Sequence, residues 1–151
     1  MAMYPGVSLI TLGVADVARA RGFYERLGWR LSQGASTPEV AFFMLNNVAL
    51  ALFGRADMLE DAGFDAQQAQ HAQQARAAPS VILAQNHPAP QAVDRAISAA
   101  VAAGGSLVKQ GQPTAWGGYH GMVADPDGHV WELAWNPAFP LSPSGEVELP
   151  P

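Results

Sequence analysis

One order of elements, strand–helix–strand–strand–strand, can be read twice along this 151-residue chain. A chain that repeats an open unit closes its hydrophobic faces only by bringing the copies together. In the first copy, residues 7–14 are rich in Val, Ile, Leu and Thr and read as a strand. Asp16 follows as an N-cap, its carboxylate able to accept from the first free backbone N–H groups. Val17, Ala20, Phe23, Tyr24 and Leu27 then recur at helical spacing, which predicts a helix with one apolar stripe. Gly28 ends it as a left-handed residue. Residues 29–33 read as a short strand, and residues 40–45 and 48–53 as a hairpin joined by Asn46-Asn47, a pair tolerant of positive φ.

The second copy begins with a strand over residues 80–86. Pro88 and Pro90 introduce a helix whose apolar face is Val93, Ile97, Ala100 and Val101, closed by Gly104-Gly105. Residues 106–110 form a strand. Residues 119–124 and 130–135 form two more, joined by the turn Asp125-Pro126-Asp127-Gly128. Between the copies, residues 55–79 are rich in Ala and Gln. They read as a linker with a helical turn over 57–62 and a longer helix over 66–77. The proline-rich tail, 138–151, is expected to be extended. Sequence identity between the halves is slight; the repeat lies in the pattern of elements.

Composition removes several function classes. With 49 % apolar and 14 % charged residues, the chain has ample material for burial, so disorder is excluded. The net charge is −5 and the eight Lys and Arg form no patch, which argues against a nucleic-acid partner. There are no cysteines, hence no disulfides, thiolate metal sites or cysteine nucleophiles. Pro5, Gly6 and Ser8 interrupt any signal-like apolar run, and no run approaches the roughly 20 residues a membrane helix requires. The expectation is a cytoplasmic protein with no membrane partner.

Two segments resemble a known family. Trp116-Gly-Gly-Tyr-His-Gly-Met-Val-Ala-Asp-Pro-Asp-Gly-His-Val-Trp-Glu-Leu-Ala-Trp-Asn-Pro137 is similar to the closing hairpin of the vicinal-oxygen-chelate superfamily, of glyoxalase, bleomycin-resistance and dioxygenase type. Leu12-Gly13-Val14-Ala15-Asp16 through Phe23-Tyr24-Glu25-Arg26-Leu27-Gly28 resembles its first strand and helix. The resemblance implies an α+β fold: two βαβββ modules forming a curved mixed-sheet barrel with a central cleft. It makes one domain, with module one about 7–54, linker 55–79, module two about 80–137 and tail 138–151. The modules can pair within one chain or across a dimer, and a homodimer is the expected assembly. The family is implied to include metal-dependent isomerases such as glyoxalase I, extradiol dioxygenases and fosfomycin-modifying transferases, and also metal-free antibiotic-binding proteins. Fold alone therefore does not settle function.

In the metal-dependent members, ligands sit on the first and last strand of each module. Those positions fall here at Leu9, Ala51, near Ser80, and at Glu132. Leu and Ala have no lone pairs to offer, and a metal site needs three or four N, O or S donors. The resemblance thus implies no metal ligand set and no cofactor, a divalent metal entering only under an enzymatic reading. His71, His87 and His129 are read as surface residues without a carboxylate partner.

Strand alternation drafts the cleft face. Glu132 brings Val130 and Ala134 with it, and Leu9, Thr11, Phe42, Met44, Ala49, Ala51 and Phe53 line the first module, with Ser80 and Ile82 opening the second. An even hairpin register sets His120 and Met122 beside Glu132. Trp116 and Tyr119 stand at the start of that hairpin, either lining a pocket or plugging the core. The expected substrate-binding residues are Phe42, Met44, Phe53, Trp116, Tyr119 and Met122, with Glu132 and His120 the candidate catalytic pair. A mainly apolar face with one acid and one imidazole is the make-up of a small-molecule site. The leading expectation is a metal-independent protein holding an apolar or aromatic ligand. The alternative is a lyase, isomerase or dioxygenase in which Glu132 serves as acid–base group or metal ligand.

Overall fold

The computed structural model describes residues 6–65, 67–68, 71 and 79–149. The chain divides into two compact units, Met1–Ala77 and Ala78–Pro151.

The first unit holds β1 (Leu9–Val14), α1 (Val17–Arg26), β2 (Val40–Leu45), β3 (Val48–Gly54) and α2 (Arg55–Asp61). Asp16 caps α1, its Oδ1 accepting from the Arg19 N–H at 2.9 Å. Gly28 terminates the turn beyond it at φ 87°. The sheet order is β1-β3-β2, with β1 parallel and β2 antiparallel to β3. Leu12, Val14, Ala41, Phe43, Leu50 and Leu52 share one sheet face and are buried with Ala20, Phe23 and Tyr24 of α1. Each large side chain so buried contributes roughly 1.5–3 kcal/mol relative to exposure. Tyr24 organises this core, its ring 4.9 Å from Phe23, 5.9 Å from Phe43 and stacked 5.0 Å from Trp29.

Two expectations for this half are corrected. The strand expected at 29–33 is reduced to a single bridge, Leu31 to Phe43. The Trp29 N–H still bonds the Tyr24 carbonyl at 3.1 Å, and the chain turns where the Ser36 N–H meets the Ser32 carbonyl at 3.0 Å. The segment is thus held at both ends before a ladder can grow, and the module is βαββ plus one bridge. The turn expected at 57–62 is the helix α2, which belongs to the first unit. The longer helix expected at 66–77 falls mostly outside the described residues; Gln67, Gln68 and His71 are helical.

The second unit holds β4 (Leu83–Asn86), α3 (Pro90–Ala102), β5 (Ser106–Pro113), β6 (Tyr119–Ala124) and β7 (Val130–Trp135). The sheet order is β4-β7-β6-β5, with β4 parallel to β7 and the other pairs antiparallel. In both units the first strand lies parallel beside the last, so the repeat is one of topology. Val93, Ile97 and Ala100 of α3 are buried with Val123 and Leu133 of the sheet. The helix sits so close that a Cβ at Gly121 would meet Ile97 Cδ1 at 2.5 Å and the Lys109 carbonyl at 2.9 Å. The β6–β7 turn is held by Asp125, 2 % exposed, whose carboxylate accepts from the N–H groups of Asp127 and His129 and from His129 Nδ1, each at 2.9 Å.

Strand β4 is shorter than the expected 80–86 because β7 begins at Val130, and its Trp131 pairs with Leu83. Ser80 and Val81 therefore have no β7 residue to pair with. The tail is not extended throughout: Leu141 bridges Val147 across a turn at Gly145, φ 85°. The barrel expectation is corrected as well. Two separate mixed sheets of three and four strands are formed, and neither closes on itself. Among the described residues no helix is long and apolar enough to cross a membrane.

Candidate functional site

The face of the second sheet opposite α3 carries a hydrogen-bonded polar trio. Its geometry begins with the β6–β7 register, in which Met122 lies opposite Glu132 and His120 opposite Ala134. These four residues share one face, while Gly121, Val123, Leu133 and Trp131 turn to the other. The even register brings His120 to Glu132: Nδ1 lies 2.6 Å from Oε1, with the side chains 14 % and 28 % exposed.

A third member, Lys109, was not expected from the sequence. Its Nζ lies 2.8 Å from His120 Nε2. In a regular β5 pairing outward from Leu107–Val123, Lys109 would oppose Gly121 on the helix-facing side. The register instead shifts between Leu107 and Lys109, so Lys109 opposes Met122 and its side chain joins the Glu132 face. A bulge of this kind re-aims a side chain. Ammonium nitrogen offers donors only, so Lys109 donates to Nε2, and Nδ1 keeps the ring proton and donates to Glu132.

Trp116 completes this end. A tight turn in which the Thr114 Oγ1 accepts from the Gly118 N–H at 3.0 Å folds the loop back. The ring lies over the Cα of Gly118, where no side chain fits, and meets the His120 ring edge-on at 6.0 Å and 88°. It is 49 % exposed, an open aromatic surface beside the polar trio. Across from Glu132 on its other flank stands Ala84 of β4, too small to cover the carboxylate.

Tyr119 does not join them. It lies on the helix side, its hydroxyl donating to Asp94 Oδ1 of α3 at 2.9 Å. That hydrogen bond, with burial and the Asp94 charge adding, holds the phenol above its ordinary pKa. In the first unit, Leu9, Thr11, Phe42, Met44, Ala49, Ala51 and Phe53 share the sheet face opposite the α1 core. Leu9 and Met44 are 45 % and 64 % exposed, and Met58 of α2 lies against Gly13 at one end of that face.

Two histidines read as surface residues are corrected. His129 bonds Asp125, as above. His87 Nε2 is buried without a hydrogen-bond partner among the described residues, and desolvation, with the Arg95 charge adding, holds its pKa below the ordinary value. Burial wins because the backbone N–H of His87 bonds the Ala134 carbonyl at 2.7 Å, which carries β4 one residue further along the sheet.

The residues do not fit a divalent metal. Among the described residues no three His, Cys, Asp or Glu converge. Leu9 and Ala51 have no donor atom, Ala84 is the residue opposite Glu132, and His120 already spends both ring nitrogens on Glu132 and Lys109. One carboxylate is too few donors for such an ion.

Comparison with known proteins agrees with the resemblance read from the sequence. Residues 6–133 match the model of the Glyoxalase/Bleomycin resistance protein/Dioxygenase superfamily. A glyoxalase-related enzyme from Fulvimarina pelagi is similar at 33 % identity, over 97 % of this chain and 99 % of that one, with a TM-score of 0.82. A glyoxalase/bleomycin resistance protein/dioxygenase from Nocardioides shares the fold at 24 % identity, over 89 % and 85 % of the two chains, with a TM-score of 0.68. Lactoylglutathione lyase from Agrobacterium tumefaciens does so at 17 % identity, over 88 % and 95 %, with a TM-score of 0.62. No curated protein matches the chain.

Proposed function

Since this chain belongs to the Glyoxalase/Bleomycin resistance protein/Dioxygenase superfamily, we propose that it is a metal-independent small-molecule-binding protein that holds an apolar or aromatic ligand against the Glu132 face of its second module. The observation that carries this reading is the composition of the Glu132 face. An exposed indole, Trp116, and a thioether, Met122, surround one hydrogen-bonded polar trio, which is how small-molecule sites combine bulk apolar contact with a few orienting polar groups. A homodimer, of mass twice 15.9 kDa, is the proposed assembly, checked by analytical ultracentrifugation.

A thermal-shift screen of small aromatic and alicyclic compounds on chelator-treated protein tests this reading. Binders raise Tm by mass action, equally with and without chelator. A stoichiometric divalent metal in the purified protein, whose removal lowers stability, defeats it.

The 2.6 Å contact of His120 with Glu132 supports a second reading, a metal-free isomerase or lyase acting on a carbonyl compound, with Glu132 taking a proton and His120 orienting it. Turnover of hemithioacetals that is lost in Glu132→Gln, with the fold retained, would favour it over simple binding.

A further inference from the structure

Both charged members of the trio rest on the same neutral ring, and neither meets an opposite charge directly. Glu132 has His120 as a hydrogen-bonded partner at 2.6 Å. Lys109 donates one N–H to His120 Nε2, and among the described residues no carboxylate pairs with it. Two of its three N–H donors therefore remain to be matched on a half-buried face. An ammonium is costly to hold there without a counter-charge, and a regular strand would have sent it to the other side of the sheet. The shift in β5 register between Leu107 and Lys109 spends part of a hydrogen-bond ladder to put a positive charge beside Trp116 and His120.

Resting on the binding function proposed above, we infer that Lys109 is the anion-recognising residue of this site, and that the ligand is an apolar or aromatic molecule bearing a carboxylate or an equivalent oxyanion. The ring lies along Trp116 and Met122, and its anionic oxygens take the two open N–H donors of Lys109. His120, bonded on both sides, holds the ammonium and Glu132 apart at fixed positions. Glu132 is left to accept from a hydroxyl or amine elsewhere on the ligand rather than to anchor a cation.

Three probes of one shape and different charge test this by isothermal titration calorimetry: benzoate, benzamide and benzamidine. On the native protein benzoate is expected to bind about tenfold or more tighter than benzamide, the worth of a charge-assisted hydrogen bond, and benzamidine weakest. Lys109→Met is expected to erase the benzoate preference, lowering benzoate affinity far more than benzamide affinity, and Lys109→Arg to restore most of it. A loss of structure would instead weaken all three probes together. Equal affinities, a preference for benzamidine, or a benzoate preference that survives in Lys109→Met overturns the assignment while the small-molecule reading stands. If none of the three binds but other compounds raise Tm in the screen, this inference alone fails; if nothing binds in either experiment, both fall. The charge series on native protein decides the ligand class even if Lys109→Met does not fold.

Discussion

His120 Nδ1 and Glu132 Oε1 lie 2.6 Å apart across neighbouring strands, two positions that are diagonal rather than directly opposed in the β6–β7 ladder. The contact arises because both side chains stand on the same face and Met122, directly opposite Glu132, leaves room beside it. It fixes the orientation of both side chains. With Lys109 donating to Nε2, the neutral ring is confined to the Nδ1–H tautomer.

The tautomer is directly measurable. Long-range ¹H–¹⁵N spectra are expected to show His120 protonated on Nδ1, with Nε2 as the unprotonated nitrogen. In Lys109→Met the constraint on Nε2 is gone and the ring should sample both forms. A native spectrum with the proton on Nε2 contradicts the trio as described.

Gly118 is expected to tolerate no side chain. A methyl group there would collide with the Trp116 ring and lie 2.5 Å from the Trp135 carbonyl oxygen. Gly118→Ala should cost about 1–3 kcal/mol in urea denaturation, as over-packing does, and change the near-ultraviolet circular dichroism as Trp116 leaves His120. Adding Trp116→Ala should return part of the loss, because only the backbone clash then remains.

Asp125→Ala should destabilise the second unit by about 1–3 kcal/mol, since half-buried N–H donors of Asp127 and His129 lose a charged acceptor. Asp125→Asn, which keeps one acceptor oxygen, should cost less. Equal losses in the two variants would mean that the turn is held by its backbone alone.

His87 makes stability depend on pH. Its folded pKa lies below the ordinary 6.5 because burial, aided by Arg95, disfavours the charged ring. As pH falls below about 6.5, the unfolded chain takes up a proton that the folded chain refuses. Stability should therefore decline with falling pH across the window between the two values, and level off once the folded ring also titrates. Subtracting the profile of His87→Phe, measured by denaturant unfolding from pH 4.5 to 8, should isolate this contribution. A difference profile that is flat, or that rises toward acid, would show that the ring is not held neutral.

Much of this arrangement is written in local chemistry. Asp16 and Gly28 bound α1, the Asp125–Gly128 turn joins β6 to β7, and period-2 alternation places Phe42, Met44 and Ala51 on one face and His120, Met122 and Glu132 on another. These signals act over a few residues, so they survive without knowledge of partners. The same locality explains the misreadings. Residues 29–33 have strand composition, but the Trp29 ring is held on Tyr24, and Ser80 and Val81 lack a partner because β7 starts too late to supply one.

Lys109 marks the boundary. By itself the sequence determined the two-module α+β pattern and offered His120 as a partner for Glu132 if the hairpin register is even, because each follows from side-chain period and turn chemistry; the structure supplied that register. Only the tertiary structure decided which way Lys109 points and that Tyr119 belongs to α3. A β-bulge adds one residue to a strand and reverses the alternation beyond it, and whether it forms depends on the neighbouring strand and on a helix packed too closely at Gly121 for any side chain. No local spacing encodes that choice; the packing of α3 against β6 and the ladder between β5 and β6 make it.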